Sequence, residues 1–129
     1  MRTVAFVLFD DVVGLDVTGP AEVFDMANRL HQGGPQPYHL EILALTGGPV
    51  RTASGVGIQA QDASQWVGPI DTLIVPGGYG VGQRGPADAL VLWVKRAAER
   101  SRRVCSVCTG AYVLAAAGLL DGRRAVTHW

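Results

Sequence analysis

The sequence predicts an α/β protein, a three-layer sandwich in which helices cover both faces of a mostly parallel sheet. Three observations predict it. Short β-branched runs alternate with segments of helical periodicity, the pattern of βα units joined by right-handed crossovers. Runs of this kind stop abruptly at glycine and proline, as at Val75-Pro76-Gly77-Gly78. Residues 110–117 are almost wholly apolar, which places their helix in the middle of a packing and not on its surface.

The totals narrow the class. A length of 129 residues bounds the chain to a single domain, 1–129, with mass for one core. Hydrophobic residues at 48% and charged residues at 17% describe a folded globular chain. A net charge of zero supplies no field to attract nucleic acid or an anionic membrane. The apolar run 4–9 is too short for a secretory core, and 111–120 is half of a membrane span. Two cysteines without an export signal point to the cytoplasm.

Taken in order, residues 3–9 (Thr-Val-Ala-Phe-Val-Leu-Phe) read as a buried strand. The loop 10–18 follows, with Asp10, Asp11 and Asp16. Gly19-Pro20 then opens a helix, because proline suits the first helical position and Glu22 can reach back to the cap. Val23, Ala27 and Leu30 fall on one face of it, with Asp25 and Arg29 opposite. Residues 39–45 form a second strand, and 49–61 a hairpin around Ala53-Ser54-Gly55. A third buried strand spans 71–75. The helix 86–100 turns Leu90, Trp93, Val94 and Ala97 inward. Strand 104–107 and helix 110–117 come next. Residues 125–127 begin another strand, so the domain is expected to be incomplete at its C-terminal end.

Ligands of such folds bind beyond the carboxyl ends of the strands. Three segments leave those ends: loop 10–18, loop 76–85 and the junction at Cys108. In Ser106-Val107-Cys108-Thr109-Gly110 a strand turns sharply into a helix at a nucleophilic residue, with small residues where bulk would clash. The turn exposes the sulfur beside the N–H groups of a helix N-terminus, which suit an anionic sulfur. Free cysteines are usually small buried hydrophobes. Cys105, inside the strand, fits that description; Cys108 fits a reactive role.

Cys105 and Cys108 also spell C-x-x-C. Three residues of strand span about 10 Å, beyond the roughly 7 Å that a disulfide bridges, which opposes a redox pair. No metal site is expected, since two cysteines and the distant His128 have no recognisable ligand spacing. Gly80-Val81-Gly82-Gln83-Arg84-Gly85 matches G-x-G-x-x-G, but Pro76 to Tyr79 separate it from the strand and its glycines all precede the helix. It reads as a loop, and no cofactor is expected. Gly77 and Gly78 carry more: they follow the strand directly, and their uncovered N–H groups with that of Thr109 would bind an oxyanion or a ligand carboxylate. Tyr79, next in that loop, and His128 are the other expected ligand-binding residues. Asp16, between Leu15 and Val17, is the carboxylate suited to act as a general acid beside the Cys108 sulfur.

These segments resemble the ThiJ/PfpI superfamily: 15–24 (Leu-Asp-Val-Thr-Gly-Pro-Ala-Glu-Val-Phe), 75–78, 106–110, and 119–124 through Thr127-His128-Trp129. The resemblance spans nearly the whole chain and implies a flavodoxin-like, glutamine-amidotransferase-like fold. Cys108 matches the elbow cysteine of the family and Asp16 its acidic partner, a glutamate in many relatives. Thr109 stands where peptidase-like members have histidine, against protease chemistry. Two branches combine the aspartate with Cys-Thr-Gly. One is the small-molecule-sensing domain of AraC-type transcriptional regulators, which binds DNA only through a C-terminal helix-turn-helix region absent here. The other is isonitrile hydratase. Residues 24–30, 47–52 and Gly110-Ala111-Tyr112 resemble the regulators more, and that branch implies a metabolite ligand and a homodimer. Hydration through Cys108 and Asp16 is the alternative, and an oxidisable sensor cysteine a third reading.

Overall fold

The computed structural model describes residues 1–128. Its centre is strand β1 (Arg2–Leu8), whose residues from Val4 to Leu8 are at most 1% exposed. A strand covered on both faces needs a continuous apolar run, and this one has it. β1 pairs in parallel with β2 (Tyr38–Ala44) on one side and with β5 (Thr72–Val75) on the other. With β3 (Gly48–Arg51), β4 (Gly57–Asp62) and β6 (Arg103–Ser106) they form a six-stranded sheet of order β3-β4-β2-β1-β5-β6. Only β3, paired to β4 through the hairpin, runs antiparallel.

Helix α1 (Gly14–Leu30) joins β1 to β2, and α2 (Ala89–Ala98) joins β5 to β6, stepping in opposite directions along the sheet. Right-handed crossovers therefore put them on opposite faces. α3 (Ala111–Ala116) packs beside α2 and over β5. The β4-to-β5 connection has no α-helix. A 3₁₀ turn at Ala63–Gln65 leads it over β2 and β1, and the Trp93 indole N–H anchors it to the Ala63 carbonyl at 3.2 Å.

Five expectations are corrected. α1 begins at Gly14, and Pro20 lies inside it. Its start is set by long-range backbone bonds, Val13 N–H to Gly77 O at 2.9 Å among them, and not by a side-chain cap. Its buried face is Val17, Ala21 and Phe24, while Val23 and Leu30 are 67% and 71% exposed. Phe24 rests edge-on against Tyr38, and the Asn28 amide bonds both the N–H and the carbonyl of Tyr38, which fixes that rotation. α2 begins at Ala89 because the Asp88 carboxylate caps the N–H groups of Leu90 and Val91. α3 is not enclosed on all sides: Tyr112 is 45% exposed. Residues 124–128 form no strand, having no ladder partner among the described residues; Trp129 lies outside them.

Candidate functional site

The elbow is built where β6 ends. Cys108 has φ 53°, in the left-handed region that disfavours a side chain, so its backbone holds a conformation imposed from outside. The constraint comes from the neighbours. Val107 N–H bonds Val75 O at 3.0 Å, and Gly110 N–H bonds Val107 O at 3.0 Å, closing a 3₁₀ turn over Cys108–Gly110. A Cβ on Gly110 would lie 2.1 Å from the carbonyl oxygen of Val75. Only glycine lets α3 start so close to β5.

The floor of the site is the Gly77–Gly78 backbone. Gly77 N–H donates to Asp16 Oδ2 at 3.1 Å, and Gly78 N–H donates to Thr109 Oγ1 at 3.1 Å. A Cβ on Gly77 would come within 2.8 Å of Asp16 Oδ2, Thr109 N and Thr109 Oγ1 together. Residue 77 is thus the point where the β1, β5 and β6 segments converge. Asp16 reaches it from the first turn of α1, not from a loop, and a carboxylate there also faces the positive end of that helix.

The N–H groups of Gly77 and Gly78 are therefore not uncovered: each already has an acceptor from the chain's own side chains. Among the expected site residues, Asp16, Gly77, Gly78, Thr109 and Cys108 are brought together. Tyr79 is 73% exposed, although its N–H bonds Asp11 O at 3.2 Å. His128 lies on the exposed C-terminal segment.

Several members of the site gave no signal in the sequence. Thr127 donates its hydroxyl to the carbonyl of Cys108 at 3.0 Å, tying the C-terminal segment to the elbow. Asp11, with φ 64°, and Val12, which bridges to both Thr52 and Gly78, brace the floor from below. Between α3 and the C-terminal segment lies an apolar recess of about 160 Å³, lined by Ala111, Tyr112, Leu120, Val126 and Thr127.

The two cysteines differ. Both are free thiols, and burial pushes the Cys105 thiol up, with Arg103 opposing the shift. Among the described residues no three ligating side chains gather into a metal site. No helix among them is long and apolar enough to cross a membrane. The G-x-G-x-x-G segment is a 3₁₀ turn at Val81–Gln83, with Arg84 stacked 5.2 Å over the Phe9 ring and paired to Asp88 at 3.0 Å.

Known proteins place this arrangement. A protein encoded in the cpoL 5′ region of Streptomyces lividans is 44% identical over 98% of this chain and 86% of its own length. Isonitrile hydratase of Pseudomonas putida is 36% identical over 98% of this chain and 52% of its own. The transcriptional regulator GbdR of Pseudomonas aeruginosa is 33% identical over 99% of this chain and 34% of its own. The chain thus spans about half of the hydratase and about a third of the regulator. Among solved structures, a ThiJ/PfpI family protein from Pseudomonas syringae superposes with a TM-score of 0.82 at 24% identity, over 99% of this chain and half of the other. An AraC family regulator from Pseudomonas putida does so with a TM-score of 0.75 at 24% identity, over 95% of this chain and 64% of the other. Residues 2–129 match the DJ-1/PfpI family, and the chain belongs to it.

Proposed function

We propose that this chain is the small-molecule-sensing domain of an AraC-type transcriptional regulator, with a metabolite bound over Cys108. The observation that carries this reading is the occupied floor. An oxyanion hole needs donors aimed at the position where charge develops. Here the two best-placed donors, Gly77 N–H and Gly78 N–H, are taken by Asp16 and Thr109. A floor satisfied in this way is rigid without being electrophilic, which suits recognition. The apolar recess beside Thr127 would take the aliphatic part of a ligand, while the Cys108 sulfur meets its polar end.

In this reading DNA is contacted only by a helix-turn-helix region C-terminal to this chain, the protein works as a homodimer in the cytoplasm, and no cofactor or metal takes part. Gel-shift titration of the full gene product against its own upstream DNA, with and without candidate metabolites, tests it. A metabolite that changes DNA affinity in the parent and not in Cys108→Trp supports the reading. Absence of any DNA binding sinks it.

One observation favours the alternative, isonitrile hydration: the strained φ of Cys108, the kind of backbone cost that active sites retain. The thiolate would add to the isonitrile carbon, which takes a proton from Asp16 to give a thioimidate. Water would then add to that carbon and expel the sulfur, leaving an N-substituted formamide. Isonitrile turnover that disappears in Cys108→Ala would establish this chemistry; no turnover by the parent protein would dismiss it.

A further inference from the structure

The β4-to-β5 crossover and helix α2 enclose a groove of about 610 Å³ on the face of the sheet away from α1. Trp66 forms one wall, and Leu92, Trp93, Arg96 and Arg100 the other, with Leu45 and Thr46 at one end. Trp93 and Arg96 stand three apart on α2, and Arg100 follows in the turn at its end, so this wall presents an indole and two guanidinium groups. β1 and β5 stand between β2, which leads into this groove, and β6, which leads to Cys108. The groove is not an extension of the Cys108 site.

Two features of its walls are unspent. The ion pairs among the described residues engage Arg29, His39, Arg84 and Arg102, and neither Arg96 nor Arg100. Among the described residues no aspartate or glutamate lines the groove beside these two positive charges. The second feature is Trp66, whose indole N–H is shut away from solvent without an acceptor, whereas that of Trp93 bonds the Ala63 carbonyl. The ring folds onto its own loop, where a Cβ at Gly68 would lie 2.7 Å from Cζ2 of Trp66.

We propose that this groove binds an organic anion with a flat apolar body, an aromatic or conjugated carboxylate. Its body lies on the indoles and its carboxylate meets Arg96 and Arg100. The volume falls within the range of small-molecule sites, roughly 300–1,000 Å³. Guanidinium groups are suited to carboxylates because they donate in a planar fork.

The probe is 1-naphthoate, titrated into the ¹⁵N-labelled chain with the indole N–H resonances as the readout. The expected result is a saturable shift of the Trp66 signal, about tenfold weaker binding by the Arg96→Ala/Arg100→Ala double variant, and unchanged binding by Cys108→Ser. The neutral isostere 1-naphthalenemethanol is expected to bind about tenfold more weakly than the acid. Both arginines are exposed, Arg96 on α2 and Arg100 in the turn just after it, so the double variant tests charge and not folding; the backbone spectrum of α2 verifies this. No saturable shift, equal binding of acid and alcohol, or equal binding by the double variant would each overturn the proposal.

Discussion

Asp16 Oδ2 accepts a hydrogen bond from Gly77 N–H at 3.1 Å, across 61 residues of sequence. This single contact joins the first turn of α1 to the end of β5, directly beside the elbow. It has a steric condition, because a Cβ at residue 77 would lie 2.8 Å from that same oxygen and from both N and Oγ1 of Thr109. Gly77→Ala is therefore expected to push Asp16 and Thr109 apart and abolish function at Cys108. The accompanying loss of stability should be about 1–3 kcal/mol, the usual cost of overpacking. Urea denaturation beside the gel-shift or turnover assay separates the two effects. Unchanged function with unchanged stability would show that the floor is softer than its geometry implies.

Gly110→Ala should be more severe. Its Cβ would meet the Val75 carbonyl oxygen at 2.1 Å, and that atom belongs to a central strand of the sheet. Backbone cannot swing aside as a side chain does. The expected loss exceeds that of Gly77→Ala and reaches about 4 kcal/mol or more, enough to unfold a marginal domain. A soluble Gly110→Ala protein with a parental thermal midpoint would contradict the close packing of α3 on β5.

Asp88→Ala tests the start of α2. The carboxylate accepts from the N–H groups of Leu90 and Val91 and also pairs with Arg84. Loss of the cap should cost about 0.5–2 kcal/mol. Asp88→Ser keeps a capping oxygen and loses the ion pair, so it should recover most of the difference. Equal destabilisation by both variants would assign the effect to Arg84 instead.

How far the sequence could be read depended on the range of the interaction. Alternating strand and helix patterns, the Cys108 elbow and the Gly77-Gly78 break are local, and all were legible. The start of α1 was not. Gly19-Pro20 carries the strongest helix-opening signal in that segment, but the true start is fixed by Val13 and Gly77, far apart in the chain. The same limit applies to the site. Sequence shows that Gly77 and Gly78 possess N–H groups at a strand end; it cannot show that Asp16 and Thr109 already occupy them. Thr127 joins Cys108 by a hydroxyl contact that no spacing rule contains.

Alkylation should distinguish the cysteines. Burial pushes the Cys105 thiol up, which depletes its thiolate at neutral pH, and it lies within the β6 strand. Cys108 is half-buried, as Cys105 is, but stands on the elbow turn and not within a strand. Iodoacetamide under native conditions should label Cys108 first, by peptide mass mapping, and Cys105 should follow only on unfolding. Faster labelling of Cys105 would mean that the β6 edge opens more readily than the elbow reacts.

The acid limb of stability should report Asp71. Two hydrogen bonds from Arg102, at 2.8 and 2.9 Å, and one from Thr72 hold the Asp71 carboxyl down to about 2. Its folded value thus lies below its unfolded value, and the unfolded chain takes up the proton first as pH falls. The stabilisation is fully present above about pH 4 and is lost as pH drops through about 2. Asp71→Asn should flatten the pH dependence of the urea midpoint in that window and leave its shape near neutrality unchanged. Arg102→Gln should act in the same direction by removing the donor. The pair ties β5 to the start of β6 at the amino ends of the strands, far from the Cys108 elbow at their carboxyl ends. Ligand binding at neutral pH should therefore survive both substitutions, and a loss there would mean that the register of β6 on β5 sets the elbow.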